Sequence, residues 1–140
     1  MLKIKKISHI AIAVENIDES LARYERALGL TPTSREHVAS QRVEAALLPI
    51  GESSIELIAP NGNDGVKKFI EKRGPGLHHI AVEVEDLEAA LTLLKSLGVP
   101  LIDEAPRVGA HGHKVAFLHP KALGGVLIEL VEPVIGHEHP

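Results

Sequence analysis

Two stretches of the chain share one order of hydrophobic and polar positions. Residues 7–32 read ISHIAIAVENIDESLARYERALGLTP, and residues 77–101 read LHHIAVEVEDLEAALTLLKSLGVPL. Each starts with a strand-like run, passes an acidic turn and continues with the period of an amphipathic helix. Asp18 and Asp86 are residue types typical of a helix start, and Gly29 and Gly98 are typical of a helix end. Both stretches therefore predict a strand, a helix, a glycine and a short strand.

Further strand-like runs complete each copy. Residues 43–49 and 53–60 follow the first stretch, residues 114–119 and 125–133 follow the second, and PIGESS and HPKALGG are typical of hairpin turns. The order βαβββ therefore occurs twice, in a first module of about residues 5–60 and a second of about residues 77–134. Residues 61–76 form a linker with a short helix over 65–72.

The predicted fold class is α+β, with both tandem modules in a single domain of residues 1–140. One module alone cannot bury both faces of its sheet. We therefore expect the modules to form one curved mixed sheet around a metal-containing cavity.

The composition of the chain limits which partners and which metal ligands are possible. The formal net charge of −4 argues against a nucleic-acid partner that needs a broad basic face. Cysteine is absent, so disulfides and thiolate ligands are excluded and any metal must be held by nitrogen and oxygen. The first residues resemble neither a signal peptide nor a membrane span, so we expect a cytoplasmic protein without a membrane partner.

Histidine and glutamate recur at equivalent positions of the repeat. His9 matches His79, Glu56 matches Glu129, and the His-to-Glu separation is 47 residues in one copy and 50 in the other. Glutamate is rarely buried unless it is paired or ligated, yet both glutamates lie in strongly apolar runs. Two histidines and two carboxylates suit one divalent ion such as Zn, Co, Ni, Mn or Fe(II). Any one of the four, taken alone, could equally be an outward-facing strand residue.

His78 competes with His79 for the ligand position. Adjacent strand residues point to opposite faces, so only one of them can face the metal. The repeat matches Ser8 with His78 and His9 with His79, which favours His79.

At these residues the chain resembles the vicinal oxygen chelate superfamily and, within it, the methylmalonyl-CoA epimerases. The motifs that carry the resemblance include GAHGHKVAFLHPK at residues 109–121 and GGVLIELVEP at residues 124–133. It implies one divalent ion, cobalt being favoured, held by His9, Glu56, His79 and Glu129. Many relatives have glutamine where Glu56 stands. A proton-transfer glutamate of the family falls on Glu44, which without the resemblance would be interpreted as a solvated strand residue.

The resemblance implies an isomerase that interconverts (R)- and (S)-methylmalonyl-CoA. Glu44 would remove the proton beside the thioester carbonyl, and the metal would stabilise the resulting enolate. Glu129 is expected to act on the opposite face, with Glu56 as the fallback. A homodimer is also expected.

The acyl-CoA substrate carries phosphates, and two groups of basic residues could contact them: Lys67, Lys68, Lys72 and Arg73 in the linker, and Lys114 and Lys121 near the GAHG motif. The favoured interpretation of the linker group is that its cations are ordinary solvated residues on the surface of a helix. His111 and His113 could contact a substrate oxygen or simply be exposed on their loop. His137 and His139 are not expected to be ligands.

Two other functions fit much of the same pattern. A glyoxalase I-type metalloenzyme would use a similar set of ligands on a glutathione hemithioacetal, but Glu44 and the GAHG motif favour the epimerase. A non-catalytic binding protein of the same fold would commonly lack part of the ligand set, which is complete here. An extradiol dioxygenase is less favoured because its site usually has two histidines and one carboxylate.

Overall fold

The computed structural model describes residues 2–134 of the chain. Eight strands and three α-helices lie in this part, in the order β1 (Ile4–Ala13), α1 (Ile17–Leu28), β2 (Ser34–Val38), β3 (Val43–Ile50), β4 (Ser53–Pro60), α2 (Asp64–Arg73), β5 (Gly76–Val84), α3 (Leu87–Ser96), β6 (Arg107–Val108), β7 (Lys114–Phe117) and β8 (Ile128–Glu132). The predicted α+β class and the repeated βαβββ order are confirmed, but the strand after each helix begins later than predicted, beyond residue 32 in the first copy and beyond residue 101 in the second.

The chain divides into two compact units. The first unit comprises residues 9–78, and the second comprises the segment before residue 9 together with the chain from residue 79 onward. The helix predicted over residues 65–72 is α2, which is one residue longer at each end and belongs to the first unit. The single domain and the module boundaries at residues 60 and 77 stay predictions.

The sheet of the first unit is mixed. Its strands lie in the order β2-β3-β4-β1, with β3 antiparallel to both neighbours and β1 parallel to β4. Alternate residues of these strands pack against α1 in one hydrophobic cluster, which includes Ile17, Ala46, Leu48 and Leu57. The residues between them point to the other side. We call the side turned away from the helix the distal face of the sheet.

The second unit repeats this plan. Its strands lie in the order β5-β8-β7-β6, with β5 parallel to β8 and β7 antiparallel to both of its neighbours. Leu87, Leu91 and Leu94 of α3 pack with Ala116 and Leu130 on the helix side of this sheet. The alternate strand residues between them point to the distal face, as in the first unit.

Two of the four predicted helix ends are displaced. The Asn16 Oδ1 atom accepts the Glu19 N–H group at 2.9 Å, so Asn16 and not Asp18 is the N-cap of α1. Asp18 lies inside the first turn instead, where its carboxylate accepts a hydrogen bond from Arg35. Gly29 caps α1 at φ +69° as predicted, whereas α3 has Leu97 at its C-cap and Gly98 one residue later. The N-cap of α3 is Asp86, as predicted.

The turn HPKALGG is not a simple hairpin. Pro120–Leu123 forms a 3-10 helix, because proline fixes a helical φ and Gly124 follows in the left-handed region at φ +73°. The flanking strands are consequently shorter than expected, ending at Phe117 and restarting at Ile128. Over residues 2–134, none of the helices has the length and hydropathy that crossing a membrane would require.

The core of the first unit can be tested at Leu57, which is fully buried against α1. Leu57→Ala should lower the free energy of unfolding by about 2–5 kcal/mol, because it removes buried methyl groups and leaves a cavity. The matched control is Leu28→Ala at a position that is 63% exposed, where a change within about 0.5 kcal/mol is expected. Urea unfolding of both variants provides the measurement, and equal losses would contradict the assigned packing.

Candidate functional site

The first unit brings His9 and Glu56 together on its distal face. Ala11 of β1 lies directly opposite Glu56 of β4, and His9 is two residues from Ala11 and therefore on the same face. The His9 Nε2 atom is 3.5 Å from the Glu56 Oε1 atom. The two residues are only 9% and 6% exposed, so this imidazole and this carboxylate meet largely away from water.

The second unit builds the same pair with the same register. Ala81 of β5 lies opposite Glu129 of β8, and His79 is two residues from Ala81. The His79 Nε2 and Glu129 Oε1 atoms are 3.2 Å apart and share a hydrogen bond. His79 is 6% exposed and Glu129 is 3% exposed. The repeat therefore extends beyond residue identity to the alignment of the parallel strands.

Phe117 supports the second pair. It lies opposite Glu129 across the antiparallel β7–β8 ladder, so both side chains are on the distal face. Its ring stands edge-on to the His79 imidazole, with centroids 5.1 Å apart and an interplanar angle of 85°. This contact restricts the rotation of the imidazole and keeps its Nε2 atom directed at the carboxylate.

The donor chemistry of the two pairs fits a divalent cation. A buried carboxylate in an apolar strand costs several kcal/mol unless a partner compensates for the lost hydration. Each unit supplies one imidazole nitrogen and one carboxylate oxygen, and both donor types are accepted by borderline divalent ions. The residues present are thus compatible with the predicted metal ligands.

His78 occupies the environment expected for the histidine that does not bind metal. It is half-buried, and its ring packs edge-on against Phe69 of α2 at a centroid distance of 5.0 Å. His79, in contrast, is buried beside Glu129. The placement agrees with the choice of His79, while metal binding itself stays a prediction.

Glu44 lies on the other side of the sheet from the His9–Glu56 pair. It is directly opposite Ala59, which belongs to the hydrophobic cluster under α1, and opposite the exposed His37. Residues that face each other across an antiparallel ladder point to the same side, so Glu44 is on the helix side. Its catalytic role stays a prediction, and this position counts against it.

The neighbours of Glu44 form an exposed charge network. The Arg35 guanidinium donates to Asp18 and lies 3.7 Å from the Glu44 Oε2 atom. The pKa of the Asp18 carboxyl is lowered by this hydrogen bond first and by the charge of Arg35 second. Because the Glu44 side chain is 41% exposed, the network is accessible to water.

The remaining predicted residues divide between structural and exposed positions. The His113 Nδ1 atom accepts the Val134 N–H group at 3.0 Å, which gives this histidine a structural role. His111 lies beside it in the left-handed region at φ +59°. Exposed positions are occupied by the basic residues Lys67, Lys68, Lys72, Arg73, Lys114 and Lys121. His137 and His139 lie outside the described residues.

Two distal-face residues were missed by the sequence analysis. The Arg107 Nε atom is 3.0 Å from the Asp103 carboxylate, and its guanidinium lies 5.9 Å from the Phe117 ring centroid. Arg107 belongs to a two-residue strand, too short for any periodic signal. Glu36 of β2 lies opposite Ala45, and the alternation of SREHV was the signal that could have found it.

Residues 8–117 match the model of the Glyoxalase/Bleomycin resistance protein/Dioxygenase superfamily. The ethylmalonyl-CoA/methylmalonyl-CoA epimerase of Cereibacter sphaeroides is 36% identical, covering 91% of this chain and 97% of that protein. The crystal structure of methylmalonyl-CoA epimerase from Mycobacterium tuberculosis matches with a TM-score of 0.89 and 38% identity, over 96% of this chain and 93% of the other.

A Glu-to-Leu variant of Streptomyces coelicolor methylmalonyl-CoA epimerase, in complex with 2-nitronate-propionyl-CoA, matches with a TM-score of 0.91 and 34% identity. That match covers 95% of this chain and 97% of the other. By sequence and by structure, the chain belongs to the methylmalonyl-CoA epimerase family of the glyoxalase/bleomycin resistance protein/dioxygenase superfamily.

Proposed function

We propose that this protein is a metal-dependent isomerase that interconverts (R)- and (S)-methylmalonyl-CoA. The observation that carries the proposal is the pair of buried His–Glu contacts at identical strand registers, His9–Glu56 and His79–Glu129. Relatives named as epimerases of this substrate are similar over nearly the whole chain.

One divalent ion is proposed to be held by His9, Glu56, His79 and Glu129. The support is that each unit buries one nitrogen and one oxygen donor within 3.5 Å of each other. Two carboxylates and two neutral imidazoles would balance the charge of the ion. Cobalt is favoured by the family resemblance, and Zn, Ni, Mn and Fe(II) also accept these donors.

The reaction exchanges a proton on a carbon between a thioester carbonyl and a carboxylate. When bound, the divalent ion supplies Lewis-acid chemistry, drawing negative charge onto the substrate oxygens. Glu129 is the proposed proton donor and acceptor on one side, with Glu56 as the fallback. Ala81, Val131 and Phe117 are buried around the Glu129 strand and limit the access of water to its carboxylate.

The family resemblance implies Glu44 as the other proton-transfer group. Two observations oppose it: the side chain is on the helix side of β3, and it lies beside the exposed Arg35. A carboxylate there is separated from the distal face by the continuous β3–β4 pairing from Val43 to Ile50.

The proposed partner is an acyl-CoA. Lys114 and Lys121 are exposed cations in the second unit that could contact its phosphates, and the linker group on α2 is the other candidate. Arg73 of that group already stacks on Phe69, with 5.5 Å from its guanidinium carbon to the ring centroid. A homodimer and a cytoplasmic location stay predictions.

The choice between His78 and His79 can be tested by metal affinity. His79→Ala should lower the affinity for Co²⁺ by more than about 100-fold, because loss of a direct ligand exceeds the effect of losing an outer one. The matched control is His78→Ala, which should keep the Co²⁺ affinity. Its free energy of unfolding should fall by only about 0.5–1.5 kcal/mol, because the contact with Phe69 is lost. The Co²⁺ affinities of both variants are measured by calorimetric titration of the chelator-treated proteins. Normal Co²⁺ affinity in His79→Ala with weakened affinity in His78→Ala would reverse the assignment.

The reaction itself can be followed by proton exchange. With Co²⁺ in deuterated water, the protein should incorporate one deuterium at the acidic carbon of methylmalonyl-CoA, detected by mass spectrometry, and a chelator should stop it. Turnover of the methylglyoxal–glutathione hemithioacetal without labelling would favour the glyoxalase I-type function instead. Binding of acyl-CoA with no turnover of either substrate would favour a binding protein.

A further inference from the structure

The distal face of the first unit carries a third acidic residue near the His9–Glu56 pair. On β2, Ser34 and Glu36 are half-buried and Val38 is buried, whereas Arg35 and His37 are exposed. Glu36 pairs with Ala45, and Ala45 in turn pairs with Ile58 of β4. Ile58 is two residues from Glu56, so Glu36 and Glu56 point to the same face.

Glu36 and Glu44 are therefore separated by the sheet. Glu44 pairs with His37 and Ala59 on the helix side, while Glu36 pairs with Ala45 on the distal side. A slip of one residue in either strand would move its glutamate to the opposite face, so the strand pairing fixes this difference.

The surface between Glu36 and Glu56 is apolar. It is formed by Ala45, which is 5% exposed and has the smallest side chain with a Cβ atom, and by Leu47, which lies directly opposite Glu56. Strand spacing places the Cα atoms of Glu36 and Glu56 about 12 Å apart, two strands across and two residues along. That separation is compatible with a small acyl group lying between the Glu36 carboxylate and a metal that Glu56 would hold.

We propose that Glu36, rather than Glu44, is a catalytic proton-transfer residue of this enzyme. The inference rests on the proposed epimerase function. A Glu36 carboxylate oxygen takes the proton from the acidic carbon, and the C–H electron pair moves into an enolate that ends on the thioester oxygen. The second acid–base group, Glu129 or Glu56, begins this step protonated and delivers that proton to the opposite side of the carbon, so it ends as a carboxylate while Glu36 ends as a carboxylic acid. The reverse reaction moves both protons back, and proton exchange with water resets the two groups between turnovers in the same direction, so no other reactant is consumed.

The test compares Glu36→Gln with Glu44→Gln, which remove the same charge from the two sides of the sheet. Glu36→Gln should slow epimerisation by about 10²- to 10⁴-fold, the usual contribution of a positioned general base, and should keep its Co²⁺ content and melting temperature. Glu44→Gln should epimerise at the wild-type rate. Glu36→Asp should recover part of the lost rate, because it restores a carboxylate at a shorter reach.

A binding measurement gives a readout that does not depend on turnover. The analogue 2-nitronate-propionyl-CoA resembles the deprotonated substrate, so a base that has just taken the proton should be protonated in its complex. Calorimetry in buffers of different ionisation enthalpy should show proton uptake on binding by the wild type and by Glu44→Gln. Glu36→Gln should show none.

The outcomes separate the two proposals. Epimerisation by Glu36→Gln within a few-fold of wild type, or loss of metal along with activity, overturns the role of Glu36. If the wild type binds the analogue but labels no methylmalonyl-CoA, the epimerase proposal fails, while proton uptake still decides whether Glu36 is the group that becomes protonated. Loss of activity in Glu44→Gln alone would instead support Glu44.

Discussion

The alignment of parallel strands within each half of the chain controls where the candidate ligands lie. β1 runs beside β4 with Ala11 opposite Glu56, and β5 runs beside β8 with Ala81 opposite Glu129. Each register places a histidine and a glutamate on one face, close enough for the imidazole and the carboxylate to compensate each other's burial. Because strand residues alternate between faces, a shift of one position would direct a charged group into the hydrophobic layer under the helix. The chemistry and the stability of each half consequently depend on the same pairing.

The two faces of each sheet differ in the residues that they carry. The helix side is filled by Leu, Ile, Val and Ala, which suits a protein whose aromatic content is only 2%. The distal face carries the buried histidines and glutamates, and the small Ala11, Ala45 and Ala81 lie among them. Because these three side chains are small, they do not block the approach of a ligand to the carboxylates. The exposed Arg35–Asp18 network belongs to the helix side and contributes little once water and salt screen it.

The family resemblance implies that many relatives have glutamine where Glu56 stands, so Glu56 would change the charge balance of the proposed metal site. Two neutral imidazoles and two carboxylates neutralise a divalent ion, whereas a glutamine in place of one carboxylate leaves a net positive charge. A neutral site attracts the negative charge that develops on the substrate less strongly. It would also hold a hard cation more tightly, because ionised oxygen is the better ligand for such ions.

The sequence alone determined the repeated βαβββ order, the equivalence of His9 with His79 and of Glu56 with Glu129, and the preference for His79 over His78. These inferences needed only local periodicity and the comparison of one half with the other. Local ambiguities caused the misplaced ends: Asn16 and Asp18 are both good capping residues, and HPKALGG has the composition of both a hairpin and a 3-10 turn. Only the tertiary structure decided that Glu44 lies on the helix side of β3 and that Glu36 shares the face of Glu56. Alternation along a strand shows which residues share a side, but the choice of side is made by pairing with strands distant in sequence and by the helix that packs on them.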